Sequence, residues 1–365
     1  MSRLGYDSAM KIAIDASRYS EKEATGVEWY SKNIIDELLK ISGEDDVTTY
    51  SREPLKLRGN KVLKGKRFWT LQWLSREMCK AKPDVLFVPS HVLPPSLPKR
   101  SVIMIHDTAF MYLRNAYKWL QFKYLKWSTK FAVKNATKIL VPSEATKNDL
   151  KKFFKCSEDK IVVIHHGFSK PETAAEYSEV LEHFKIAEKK YVLFVGRLES
   201  KKNLERLVEA FARFVKTHED YYLILAGKRG TGFERILKKV QHLNLMEKVI
   251  MPGYITENEK AYLYKHCAVF AFPSLYEGFG LPILEAFYYE KPVLTSHVSC
   301  LPEIAGEAAH FSDPYDPEMI ADGLEKLIND KAYSERLVVK GKERLKEFSW
   351  KVSAEKTLRV LHGRE

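Results

Sequence analysis

Ten short apolar runs, separated by longer helical patterns, constrain what this 365-residue chain can fold into more than any other feature. Five lie in the first half, at 11–16 (KIAIDA), 84–90, 102–107, 138–143 and 161–167. Five more lie at 191–197 (YVLFVGR), 221–228, 249–254, 269–274 and 292–298. Continuous Val/Ile/Leu runs that stop at Gly, Ser or Asp indicate strands buried on both faces, and hence parallel sheets covered by helices. The fold class is therefore α/β, with one doubly wound parallel sheet in each half. Ligands of such sheets sit beyond the carboxyl ends of the strands, so two facing sheets imply a cleft between the domains, lined by strand-end loops.

The runs also set the expected boundaries. The first domain spans 10–170 and the second 191–349, joined by a linker at 171–190 that contains Pro171 and no apolar run. Residues 1–9 precede the first strand-like run and read as a tail or an upstream start. No stretch of 18 apolar residues and no signal-peptide pattern is present, so a cytoplasmic protein is expected. Cys79, Cys156, Cys267 and Cys300 are spaced too irregularly for a zinc site or a disulfide framework and read as reduced packing residues. The basic excess is confined to one half: residues 1–170 carry 31 Lys and Arg against 18 Asp and Glu, whereas the remainder is at −1. A field of one sign recruits anionic partners or simply keeps a surface soluble.

The stretch PSLYEGFGLPILEAF (273–287) is the strongest candidate for chemistry. Glu277 and Glu285 flank a Gly278-Phe279-Gly280 turn leading into an apolar helix with Pro282 in its first turn. A helix entered through glycines offers free N–H groups near Gly280 and Leu281, which suits a phosphate. Glu285 sits among Leu281, Ile283, Leu284, Ala286 and Phe287, so it needs hydrogen-bond donors, either from a ligand's hydroxyls or from an internal Lys or Arg. In the second half, Gly196 ends a strand and is followed by Arg197, Lys201, Lys202 and Asn203, the last placed to cap the next helix. Two cations there suit a departing diphosphate; as isolated residues they would be surface charges.

The Glu-x7-Glu stretch, with GRLESKKN (196–203), GYITENEKAYLYKHCAVFAFPS (253–274), LPEIAGEAAHFSDPYDPEMIADGLEKLI (301–328) and EFSWKVSAEKTLRVL (347–361), resembles the retaining nucleotide-sugar glycosyltransferases of family 4. These are also called group 1 glycosyltransferases, and many transfer mannose. The resemblance implies two facing Rossmann-like domains of the GT-B type, with the terminal helix at 350–365 crossing back onto the first domain at Trp350. It implies a nucleotide-diphosphate sugar as co-substrate, Glu285 on the ribose, Arg197 and Lys202 on the diphosphate, and Glu277 beside the sugar. Gly196, Gly278, Phe279, Gly280 and Leu281 would line the donor. In the first half, SRYSEKEATGVEWYSKNIIDEL (17–38) resembles the family's donor-approaching loop through Gly26, although Glu28 stands where relatives often carry a second glycine. VIMIHDTAF (102–110) resembles its strand-end His-Asp, which makes His106 a catalytic candidate. No Asp-x-Asp lies on a strand-end loop, so no metal and no other cofactor is expected.

Lys123, Lys126, Lys130 and Lys134 recur at helical spacing, with Trp119, Phe122, Trp127 and Phe131 interleaved. The pattern fits contact of 112–138 with an anionic membrane carrying a lipid-linked acceptor, or an ordinary surface helix whose aromatics pack inward. The expected function is hexosyl transfer, with GDP-mannose as a candidate donor, to a glycan or lipid-linked acceptor. An epimerase or phosphorylase on the same scaffold and a basic nucleic-acid-binding protein are the alternatives.

Overall fold

In the computed structural model, which describes residues 9–20, 26–65, 67–171 and 177–364, the first apolar run forms β1 (Lys11–Asp15), buried at every position after the first. Its neighbours are β2 (Asp46–Ser51), β3 (Asn60–Val62), β4 (Val85–Val88), β5 (Arg100–Met104), β6 (Lys138–Val141) and β7 (Ile161–Val163). All pair in parallel, in the order β3-β2-β1-β4-β5-β6-β7. The helices α1 (Gly26–Ile41), α2 (Ser75–Ala81), α3 (Ala109–Tyr112), α4 (Trp119–Asn135) and α5 (Glu144–Phe154) connect the strands. β2 and β3 carry no apolar run and escaped the sequence reading. In β2 the buried Thr49 and Ser51 hydroxyls accept from the Asn60 side-chain amide at 3.3 and 3.0 Å, so a polar strand is paid for within the sheet.

The chain divides into two compact units, and the first takes in Phe348 onward as well as the described parts of Met1–Tyr112 and Tyr117–Gly167. The helix Trp350–His362 places Trp350, Ala354, Leu358 and Leu361, at three- and four-residue spacing, in one core with Ile12, Ile14, Tyr30, Ile34 and Phe87. Its end is fixed by a buried 2.9 Å contact between His362 Nε2 and Asp45 Oδ2. Gly167 is needed where the helix begins, since a Cβ there would lie 2.1 Å from the Trp350 nitrogen.

The second unit holds Leu113–Ala116 and Phe168–Glu347. Its strands β8 (Lys190–Val195), β9 (Tyr221–Ala226), β10 (Val249–Gly253), β11 (Val269–Phe272), β12 (Val293–Ser296) and β13 (His310–Ser312) pair in the order β10-β9-β8-β11-β12-β13. Its helices are α6 (Glu179–His183), α7 (Leu204–Phe214), α8 (Phe233–His242), α9 (Glu257–His266), α10 (Leu281–Tyr288), α11 (Leu301–Ala305), α12 (Pro317–Asn329) and α13 (Lys331–Leu345). The stretch 171–190, read as a linker, belongs to this unit where it is described: Leu181 of α6 is fully buried, and Ser178 contacts Glu259. The expected tail lies outside the described residues except for its last. In each sheet the strand order reverses at one place, between β1 and β4 and between β8 and β11, and the chain beyond those strand ends is where an open parallel sheet binds ligands.

Candidate active site

At the reversal in the second unit, β8 and β9 end in glycines that approach backbone to backbone. Gly196 and Gly227 have φ of 148° and 144°, and a Cβ on Gly227 would lie 2.0 Å from the Gly196 carbonyl oxygen. The turn leaves the Arg197 side chain exposed, with no hydrogen-bond or ion-pair partner among the described residues, while its carbonyl accepts from the Glu199 N–H at 2.9 Å. The chain then forms a single turn, Ser200–Lys202, before α7. Asn203 stands at the cap position but does not cap: with φ of 60° its amide instead donates to the Pro314 carbonyl at 2.6 Å.

Two loops meet here. The Leu275 N–H donates to the Lys201 carbonyl at 2.9 Å, and Lys202 Nζ lies 2.6 Å from Glu277 Oε1 and 4.9 Å from the Phe272 ring centroid. Glu277 is 7% exposed, and its N–H donates to Ser299 Oγ at 3.0 Å. A carboxylate so enclosed requires the ammonium beside it, so lysine and glutamate hold each other in place. Lys201 lies 3.7 Å from the Glu199 carboxylate, whereas Lys202 pairs with Glu277 at 2.6 Å. Gly280 precedes α10 with φ of 96°, Pro282 stands in the first turn, and Gly278 and Phe279 are buried beneath.

Glu285, one turn into α10, has an internal partner, as one of the two readings expected. Lys260 Nζ contacts Oε1 and the Tyr264 hydroxyl donates to Oε2, both at 2.8 Å. Burial works against the Lys260 ammonium, but Glu285 and Glu257 outweigh it and raise its pKa above the ordinary lysine value. Burial and then Glu285 push the Tyr264 phenol well up, so it stays a donor. A carboxylate has about four acceptor positions, and Glu285 keeps capacity for ligand hydroxyls. Neither Lys260 nor Tyr264 was singled out from the sequence, because nothing local marks a residue 25 or 21 positions away as a partner.

Gly26 and His106 belong to the first unit. Gly26 opens α1 on the surface, and a Cβ there would meet nothing within 4 Å, so no close approach requires the glycine among the described residues. His106 Nε2 lies 2.9 Å from the Pro89 carbonyl, which can only accept, so Nε2 carries the proton and Nδ1 is left as an acceptor. Its ring packs 4.9 Å from Tyr30, 5.5 Å from His166 and 6.3 Å from His91. Burial, then the neighbouring His91, lowers its pKa to about 4, and burial also lowers His91 and His166. The unfolded chain takes up protons on these imidazoles near pH 6.5, whereas the folded chain resists until about pH 4 at His106. Their contribution is therefore complete above pH 6.5 and is lost as the pH falls through that window. Asp15, whose carboxyl is pushed up by burial, works in the opposite sense with a single group. The melting temperature should fall between pH 6.5 and 4, and fall less in His106→Gln, which calorimetry across that range checks.

The basic stripe lies on α4, and its aromatics divide: Phe131 packs against the core and Phe122 lies 6.2 Å from the buried Phe110, whereas Trp119 and Trp127 turn outward. Trp119, Leu120, Tyr124 and Trp127 are 61, 74, 44 and 48% exposed, and the helix buries Ser128, Thr129 and Ala132 alongside Phe131. No helix among the described residues is long and apolar enough to cross a membrane.

Comparison with known proteins decides the family. The model for glycosyl transferases group 1 matches residues 179–344, and that for glycosyltransferase family 4 matches residues 26–169. The chain belongs to the group 1, family 4 glycosyltransferases. It is similar to the O-antigen chain mannosyltransferase B of Escherichia coli, 27% identical over 90% of this chain and 88% of that protein. The serotype-specific mannosyltransferase WbdA of E. coli is also 27% identical, over 70% of this chain, which spans only 32% of WbdA. Among solved structures, sucrose-phosphate synthase from Thermosynechococcus elongatus has a TM-score of 0.77 at 20% identity, covering 96% of this chain and 98% of its own. Anabaena HepE in complex with UDP and glucose has a TM-score of 0.71 at 17% identity, covering 97% and 100%. At such identities these structures establish the shared GT-B fold of two Rossmann-like domains. The glycosyltransferase's candidate residues then fall into two sets: Gly196, Arg197, Lys202, Glu277, Gly278, Phe279, Gly280, Leu281 and Glu285 in the second unit, and Gly26 and His106 in the first.

Proposed function

We propose that this glycosyltransferase moves a mannosyl unit from GDP-mannose, with retention of configuration and without a metal, to a glycan or lipid-linked acceptor in cell-surface polysaccharide or glycolipid synthesis. The observation that carries this reading is the Lys202–Glu277 pair beside the exposed Arg197 at the strand-order reversal of the second sheet. One residue of the pair suits a phosphate and the other suits sugar hydroxyls, which joins the two halves of a nucleotide-sugar at one point. The mannosyltransferase names of two relatives support the choice of sugar.

In this mechanism Arg197, Lys202 and the N–H groups at Gly280 and Leu281 receive the diphosphate, while Glu285, oriented by Lys260 and Tyr264, accepts from the ribose. Glu277 accepts from the sugar. As the anomeric C–O bond to the diphosphate breaks, negative charge collects on the departing oxygen, and cations already fixed there stabilise it without reorganising. The acceptor hydroxyl attacks from the face the leaving group vacates, and its proton passes to a phosphate oxygen. His106 Nδ1 would accept from a sugar hydroxyl. The exposed aromatics and lysines of α4 support contact with an anionic membrane surface, where a lipid-linked acceptor would be met.

Melting curves with GDP, UDP, dTDP and ADP, each with and without EDTA, test the donor side. A ligand at 100 times its Kd adds about 2.7 kcal/mol of stability, so one nucleotide should stand out. The expected result is a rise with GDP that EDTA leaves unchanged. A selective rise with another nucleotide would reassign the donor, and loss of the rise in EDTA would overturn metal independence.

A further inference from the structure

The sheet of the first unit has its own order reversal, between β1 and β4, and a cavity of about 250 Å³ opens at that place. Three strand ends supply it: Ser17 and Arg18 follow β1, Arg52 follows β2, and Ser90 and His91 follow β4. Thr70, Glu28 at the start of α1 and Tyr124 of α4 complete its polar lining. None of the site residues of the second unit belongs to it.

Among the described lining residues, two arginines face one carboxylate. Arg18 lies 3.8 Å from Glu28, a loose pair half open to solvent. Arg52 has no carboxylate within ion-pair distance among the described residues, and its guanidinium lies 5.8 Å from the Trp69 ring. Trp69 is itself buried and gives Arg52 a cation–π contact, and the nearby Asp15 carboxyl, whose pKa burial raises although it feels both arginines, lies outside ion-pair distance. Two guanidiniums from different strand ends, one of them without an ion pair among the described residues, present forks from two directions to a single anion. A carboxylate holds its acceptor positions in one plane, whereas the oxygens of a phosphate point in three directions and can meet forks that arrive from different sides. His91 is kept neutral, first by burial, and adds a hydrogen-bonding ring rather than a third charge. Tyr124 joins the cavity to the helix whose Trp119, Leu120 and Trp127 stand in solvent, so a group seated here has apolar surface beside it.

We propose that this cavity binds a phosphate group carried by the acceptor, with Arg52 and Arg18 as its ligands and Glu28 and His91 placed for neighbouring hydroxyls. The assignment rests on the glycosyltransferase reading for the word acceptor, and on the arginines for the phosphate.

The test is a titration of the protein, saturated with whichever nucleotide raises its melting point so that the donor side is filled, with methyl phosphate, methyl glucuronide and methyl mannoside. A parallel arm measures sedimentation with phosphatidylcholine vesicles with and without phosphatidic acid. Methyl phosphate should bind in preference to the other two, about tenfold more weakly in Arg52→Gln, the scale for one charge-assisted bond, with the nucleotide melting shift unchanged. Loss in the titration alone supports a phosphate on a soluble glycan; loss in both arms supports a lipid-borne one. Methyl phosphate binding equal in wild type and Arg52→Gln, or binding of methyl mannoside alone, would overturn the proposal. Arg18→Gln and Arg52→Lys repeat the measurement should Arg52→Gln fail to fold. Failure of every nucleotide to shift the melting point would count against the donor assignment, and the titration would then be read on unsaturated protein.

Discussion

Replacing Lys202 with alanine should lower turnover by on the order of 10²-fold, the scale for removing one preorganised donor from a developing negative charge. The structure adds a second consequence. Glu277, 7% exposed, loses the ammonium 2.6 Å away, so Lys202→Ala should also lower the melting temperature. The two effects separate in a double mutant. Removing Glu277 as well relieves the stranded carboxylate, and the melting temperature of Lys202→Ala/Glu277→Ala should recover while turnover stays low. A single mutant with wild-type kcat would take Lys202 out of the mechanism, and recovery of turnover along with stability would make the pair a structural device only.

Glu285→Ala should weaken nucleotide binding by tenfold or more, since a charge-assisted hydrogen bond is worth about 1.5–3 kcal/mol. The readout specific to the ribose is a comparison of the nucleoside diphosphate with its 2′,3′-dideoxy analogue. Wild type should favour the ribose form, and Glu285→Ala should bind both equally. Lys260→Met should reduce the preference without abolishing it, because Tyr264 still donates to the other carboxylate oxygen. Persistence of the full preference in Glu285→Ala would place the ribose elsewhere and leave Glu285 as the partner of a buried lysine.

All ten apolar runs form strands, because a strand covered on both faces is apolar at most positions unless its polar groups find partners, and that pattern is local. The strands that escaped, β2, β3 and β13, are short or polar. In β2 the compensation for Thr49 and Ser51 comes from Asn60, on the next strand. Arg52 escaped with β2, since a strand-end residue cannot be recognised while its strand is unrecognised. The α4 lysines were legible, yet the outward placement of Trp119, Tyr124 and Trp127 was not. A helix offering small polar residues and aromatics gives its neighbours a choice, and here Ser128, Thr129, Ala132 and Phe131 pack while Trp119, Tyr124 and Trp127 do not.

What the sequence by itself determined is the set of groups available at each strand end: Gly196 and Arg197 after β8, the two glutamates around Gly280, and the Pro282 helix start. Those are properties of the chain over a few residues, set by backbone sterics and apolar periodicity. What only the tertiary structure decided is which of these groups are already satisfied. Lys202 meets Glu277 across 75 residues and Glu285 meets Lys260 across 25, while the side chains of Arg197 and Arg52 form no ion pair among the described residues. A charge's partner depends on where the folded chain places other charges, and Coulomb attraction within a few ångströms takes no account of separation along the sequence.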